Sequence, residues 1–91
     1  MPLVPRQSTS FRGDVKRKLR QGADVTGLEA VVEALVSQRS LDERYRDHPL
    51  IGNWTGYREC HIKPNWLLIY RITDDELQLV RTGSHAELFG R

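Results

Sequence analysis

Three runs rich in β-branched, aromatic and leucine residues, Tyr57 to Lys63, Trp66 to Thr73 and Glu76 to Thr82, follow one another at two-residue intervals. The intervening pairs, Pro64-Asn65 and Asp74-Asp75, are natural short turns, so consecutive antiparallel pairing is the simplest arrangement. The middle run, Trp66-Leu67-Leu68-Ile69-Tyr70, has little polar alternation, the pattern of a central strand covered on both faces. A sheet therefore occupies the second half of the chain, and the first half must supply what covers it.

That first half reads as a strand and two helices. Leu3 and Val4 lie between two prolines, which suits an edge strand. Ser8-Thr9-Ser10 offers a helix N-cap, Phe11, Val15 and Leu19 follow at intervals of four, and Gly22 ends the helix. A second helix opens near Asp24 or Thr26, with Thr26 and Glu29 in capping-box spacing. Leu28, Val31, Val32, Leu35 and Val36 form its apolar stripe, which belongs in the core. Residues 37–53 read as a loop long enough to suggest function, and residues 84–89 as a short helical turn closed by Gly90. The expected fold is α+β: an N-terminal strand and two helices packed on one face of an antiparallel sheet, as a single domain over residues 1–91.

A chain of 91 residues has room for one core, which leaves no place for a separate cofactor domain or a repeat array. Hydrophobic residues at 38% and charged ones at 29% argue for a folded globule rather than a disordered chain. No apolar run approaches the ~20 residues of a membrane span, and the first residues lack the pattern of a secretory signal. The single Cys60 cannot form an internal disulfide, so a reducing, cytoplasmic home is expected.

The chemistry-bearing residues are His48, His61 and His85, each isolated in sequence. No His-x-x-x-His or Cys-x-x-Cys pair supports a metal site, and no glycine-rich phosphate loop or nucleophile-elbow serine is present, so neither metal nor cofactor is expected. What remains is acid–base chemistry, since imidazole titrates near neutral pH. By the period of two, Tyr57, Glu59, His61 and Lys63 share one face of their strand, while Cys60 and Ile62 turn to the core. Arg81 shares a face with Leu79 on the last strand, so a polar face with His61, Lys63 and Arg81 could bind a phosphate. His85 follows closely enough to overhang that surface, and His48 enters from the long loop. Taken alone, each histidine reads as a surface residue. Trp54 reads as filling a core edge, and Trp66 as lying either inside or on the surface. Fourteen Lys and Arg against twelve Asp and Glu leave a formal charge of +2, with Arg12, Lys16, Arg17, Lys18 and Arg20 crowded into the first helix.

Three stretches together carry a resemblance: Asp47-His48-Pro49-Leu50, Gly52, Trp54 and Gly56-Tyr57-Arg58; His61, Pro64, Trp66 and Ile69-Tyr70; and Arg81-Thr82-Gly83, His85 and Leu88-Phe89-Gly90. They look like the YafQ branch of the RelE superfamily of bacterial toxins. The resemblance implies the toxin of a type II toxin–antitoxin system, a ribosome-dependent mRNA endonuclease held inactive by a cognate antitoxin. Operator DNA would be met only through that antitoxin. It implies His48, His61, Trp66, His85 and Phe89 as active-site positions, with Arg81 as a phosphate contact. A mechanism consistent with it and with the residues uses His48 or His61 as base, His85 as acid, and Arg81 and Lys63 to stabilise phosphoryl charge. The basic first helix would then face ribosomal RNA. The family usually carries an aspartate where this chain has Asn65, which can hydrogen-bond but cannot ionise. A catalytically weakened homologue that binds antitoxin or ribosome is therefore the alternative reading. A free-standing RNA-binding sheet domain is a third, but no signature of one is present.

Overall fold

The computed structural model describes residues 1–90. In chain order its elements are β1 (Val4–Gln7), α1 (Thr9–Arg20), α2 (Thr26–Val36), β2 (His48–Pro49), β3 (Arg58–Lys63), β4 (Trp66–Ile72), β5 (Glu76–Gly83) and α3 (His85–Phe89). Arg91, the last residue of the expected domain, lies outside the described residues. The sheet order is β1-β5-β4-β3-β2, and the three strands after residue 57 pair consecutively and antiparallel as their short turns require.

The sheet is mixed rather than wholly antiparallel, because β1 lies parallel to β5. No hairpin joins these two strands, so nothing in the connection dictates antiparallel pairing. Pro5 is tolerated there because β1 is an edge. The segment expected to be a loop contains β2, a two-residue strand paired with Glu59 and Arg58 of β3. Two residues, one of them proline, give no periodicity that sequence reading could detect.

Helix α1 starts where expected: the Ser8 hydroxyl accepts from the Phe11 amide at 2.9 Å and donates to the Val80 carbonyl at 2.7 Å. That second bond ties the helix start to β5. At α2 the expected capping box does not form, since Val25 occupies the N-cap and Thr26 is already helical. Asp24 instead accepts from the Thr26 amide at 2.9 Å. Both helices bury apolar residues (Phe11, Leu28, Val31, Leu35) against Cys60, Leu68, Tyr70, Leu77 and Leu79 of the sheet. Full burial of each such side chain contributes roughly 1.5–3 kcal/mol. Burial pushes the Cys60 thiol up to about 12, so it is a packing group and not a nucleophile.

The central strand is covered on both faces as its composition requires: Trp66 to Tyr70 are all buried. Two bulges, however, break the simple alternation. In β5 the step from Leu79 to Arg81 spans a single step from Tyr70 to Ile69 in β4. Leu79 and Arg81 therefore lie on opposite faces, which corrects the expectation from the period of two. A similar irregularity between His61 and Lys63 ends their shared face at the strand's end. Among the described residues, no helix is long and apolar enough to cross a membrane.

Candidate active site

The face of the sheet opposite α1 and α2 gathers the three histidines. His61 stands on β3, β2 is laced to β3 with His48 opposite Glu59, and His85 opens α3 immediately after β5. The His48 and His61 ring centroids are 6.4 Å apart, and those of His61 and His85 6.1 Å. Phe89 continues the file at 6.2 Å from His85 and meets Trp54 edge-on at 6.1 Å. Histidines separated by up to 37 positions thus reach one surface.

Local structure fixes each of them. Ser84 and Glu87 form a capping box at the start of α3, and Gly90 ends the helix in the left-handed region. Glu87 also binds Arg17 at 2.9 Å and Gln21 at 3.2 Å, which ties α3 to α1. A Cβ at Gly83 would lie 2.9 Å from Glu87 Oε1 and 3.3 Å from both Arg17 Nη2 and Leu88 Cδ2. A side chain there would push the Glu87 carboxylate off the Ser84 amide that it caps at 2.8 Å. The loop before His48 is held by Asp47, which accepts from Tyr70 Oη and pairs with Arg58 at 3.2 Å. Burial, then the Asp47 hydrogen bond, pushes the Tyr70 phenol well above its ordinary value, so it remains the donor.

Glu59 completes the cluster. Its side chain is 8% exposed, and its Oε2 lies 3.3 Å from His48 Nε2, while His48 Nδ1 lies 2.7 Å from the Arg46 carbonyl oxygen. Both nitrogens of His48 thus face oxygen atoms, which fixes the orientation of the ring. His61 is different. Burial lowers its pKa, and Arg46, His85 and His48 lower it further against the opposing pull of Glu59. Its Nδ1 is buried without a partner. His61 is accordingly neutral at pH 7. One surface therefore offers a neutral imidazole, an exposed imidazole at His85, and an imidazole held by a carboxylate.

The same geometry bears on metals. One ligand atom each from Glu59, His61 and His85 lies within 4.8 Å of the others, a nitrogen- and oxygen-donor set that suits zinc or copper. Sequence spacing misses this set because His85 comes from α3, whereas Glu59 and His61 stand on β3.

The other expected site residues are placed in unlike surroundings. Lys63 is exposed and lines a cavity of about 530 Å³ together with His61, and Phe89 lines a second of about 480 Å³ together with His85 and Glu59. Asn65 is exposed in the β3–β4 turn. Trp66 is only 5% exposed and donates its indole N–H to Thr82 Oγ1 at 2.8 Å, so no base can stack on it. It braces β4 against β5 instead. Arg81 is held by Asp14 through bonds of 2.7 and 3.1 Å. Of the basic first helix, Arg12, Lys16 and Arg20 are exposed, whereas Arg17 binds Asp14 and Glu87, and Lys18 lies 3.5 Å from Glu87. Sequence reading passed over Arg44 and Arg46 altogether, and it placed Glu59 beside His61 without giving it a task. The alternation of β3 was the available signal for Glu59.

Comparison with known proteins agrees with this architecture. A family model described as the bacterial toxin of type II toxin–antitoxin systems, YafQ, matches residues 3–90. The mRNA interferase toxin YafQ of Escherichia coli is 42% identical over 84 residues, which cover 91% of each chain. A crystal structure of a copper-bound mutant toxin from Helicobacter pylori aligns with a TM-score of 0.92 at 44% identity, covering 96% of this chain and 99% of that one. The crystal structure of the Escherichia coli DinJ–YafQ toxin–antitoxin complex aligns with a TM-score of 0.91 at 38% identity, covering 99% of this chain and all of its match.

Proposed function

Because the chain belongs to the YafQ family of toxins of bacterial type II toxin–antitoxin systems, we propose that it is an mRNA endonuclease that cuts on the ribosome by metal-independent acid–base chemistry. The observation that carries this reading is the convergence of His48, His61 and His85 at centroid separations of 6.1–6.4 Å, with unlike surroundings.

In the proposed reaction, neutral His61 takes the proton of a ribose 2′-hydroxyl, and the resulting oxygen attacks the adjacent phosphorus. The bond to the 5′-oxygen breaks, and His85 gives that oxygen a proton as it leaves. The products are a 2′,3′-cyclic phosphate and a 5′-hydroxyl end, with His61 protonated and His85 neutral. His48, held between Glu59 and the Arg46 carbonyl, would stabilise charge gathering on the phosphoryl oxygens. Phe89 and Trp54 would form an aromatic wall for a flanking base. Arg81, oriented by Asp14 and still partly exposed, is a phosphate contact in this scheme, as is Lys63. A metal held by Glu59, His61 and His85 would consume both the base and the acid, so metal binding would inhibit. A cognate antitoxin, as in the DinJ–YafQ complex, would keep the toxin inactive in the cytoplasm and carry any contact with operator DNA.

The test is to map the 5′ ends of mRNA in a translating extract, with His85→Ala beside the unaltered protein. Loss of the general acid should cost 10²–10⁴-fold in cleavage, about the usual contribution of such a group, with an unchanged circular-dichroism spectrum. Cleavage at the unaltered rate removes His85 from the mechanism. Inhibition of translation without cut ends favours a binding module, the reading for which Asn65 is the feature.

A further inference from the structure

We propose that the cavity on the far side of His61, between the turn at Glu43–Tyr45, the start of α2 and the end of β3, is a subsite for a backbone phosphate of RNA adjoining the one that is cut. The proposal rests on the nuclease reading above and assigns the substrate contact that lies next to the chemistry.

The cavity, of about 530 Å³, is lined by Arg44, Arg46 and Lys63. Among the described residues, no carboxylate lies within 4.0 Å of any of these three cations. Asp42 and Asp24 act on Arg44 and Lys63 only at longer range, so the three charges are incompletely balanced, and a bound phosphate would complete the balance. Nor are they simply loose. Arg44 lies over the Tyr45 ring at 4.8 Å and donates to its hydroxyl at 2.8 Å, an orientation held without a direct carboxylate pair. Arg46 has φ of +50°, which few residues other than glycine adopt. In that conformation its amide reaches the Glu43 carbonyl at 3.0 Å and its own carbonyl reaches His48 Nδ1 at 2.7 Å. One residue thus sets His48 by its backbone while its side chain lines the cavity. Gly27, in the first turn of α2, forms part of the cavity wall.

Continuity selects RNA as the occupant. His61 belongs both to this cavity and to the histidine cluster, so a chain whose scissile phosphate lies over His61 and His85 leads its neighbouring phosphate toward Arg44 and Arg46. Arginine forks suit phosphate oxygens particularly well, because they donate in parallel pairs.

The experiment uses an uncleavable tetraribonucleotide with 2′-O-methyl groups, and analogues in which each non-scissile phosphate in turn is an uncharged methylphosphonate. Affinities are measured for the unaltered protein, Arg44→Gln and Arg46→Asn, with Arg39→Gln, which lines a different cavity, as a charge-matched control. Asparagine tolerates the left-handed backbone at position 46, and thermal unfolding checks that each variant folds. Removing one flanking phosphate charge should weaken binding to the unaltered protein about tenfold or more. The same analogue should cost Arg44→Gln and Arg46→Asn little, whereas Arg39→Gln should behave as the unaltered protein. The salt dependence of binding should fall by about 0.7 in log–log slope with the lost contact. Equal losses in all four proteins overturn the subsite. If the oligonucleotide shifts the imidazole resonances of His61 and His85 while the cavity variants bind it normally, the subsite fails and the nuclease reading stands. If no histidine resonance moves, both fail. If the variants lose binding to a hexaglutamate peptide but not to RNA, the cavity takes an acidic protein segment and the proposal is overturned.

Discussion

At the corner where α1 meets α3, Arg17, Lys18 and Arg81 each meet Asp14 or Glu87 at 2.7–3.5 Å, whereas Arg44, Arg46 and Lys63 beside His61 meet no carboxylate among the described residues. The two regions carry the same kinds of side chain and put them to different uses. In the first, the carboxylates fix the cations, and the ion pairs join α1, β5 and the helix that bears His85 and Phe89. In the second, fixation comes from a tyrosine ring and a strained backbone, and the charges stay available to a ligand. Density of basic residues along a sequence is therefore a poor guide to where an anion binds.

That contrast has consequences of graded size. Asp14 is 3% exposed and accepts from Arg17, Arg81 and the Thr82 amide at 3.0–3.1 Å or less. Burial pushes its carboxyl up, but the Arg81 and Thr82 hydrogen bonds, the Arg81 charge and the Arg17 hydrogen bond bring it below its ordinary value. Asp14→Ala should cost about 3 kcal/mol in denaturant unfolding, since it strands the Arg81 guanidinium and a buried amide while Arg17 keeps Glu87. A cost near zero would show that the corner is not a structural joint.

The next effect is on pH dependence. The Ser84 backbone hydrogen bond, opposed by burial and aided by Gln21, Lys18 and Arg17, lowers the Glu87 carboxyl to about 2. Its folded value lies below its unfolded one. The stabilisation is therefore present above the ordinary value near 4.5 and is lost as pH falls from there toward about 2. In Glu87→Gln, stability between those limits should vary less with pH than in the unaltered protein. An identical acid profile would remove Glu87 from the joint. The smallest effect is expected where charges are unengaged: Arg12→Gln and Arg44→Gln should each leave unfolding free energy within about 0.5 kcal/mol. A larger loss at Arg44 would place it with the structural cations.

The sheet and both helices were legible because their signals are local: two-residue turns, a 3.6-residue apolar stripe, a serine cap. The site was legible in part for the same reason, since Glu59, His61 and the core-facing Cys60 alternate along one strand. What sequence could not give depended on long-range partners. The bulge that separates Leu79 from Arg81 is a property of pairing with β4, and β1 finds its parallel place only once β5 exists. The burial of Trp66 depends on Thr82, sixteen residues away. Arg81, Arg17 and Lys18 read as free charges because Asp14 and Glu87 reach them only in the folded chain. Arg44 and Arg46 went unnoticed because they stand in a short irregular turn with no pattern around them.

The account stands on histidine-driven transfer through the 2′-oxygen, and the chemistry of the cut ends tests it most directly. Cleavage products formed on programmed ribosomes, with divalent metals other than ribosomal magnesium removed, should carry 5′-hydroxyl and 2′,3′-cyclic phosphate ends. Products with 5′-phosphate and 3′-hydroxyl ends, or cleavage that appears only when a transition metal is restored, would contradict it.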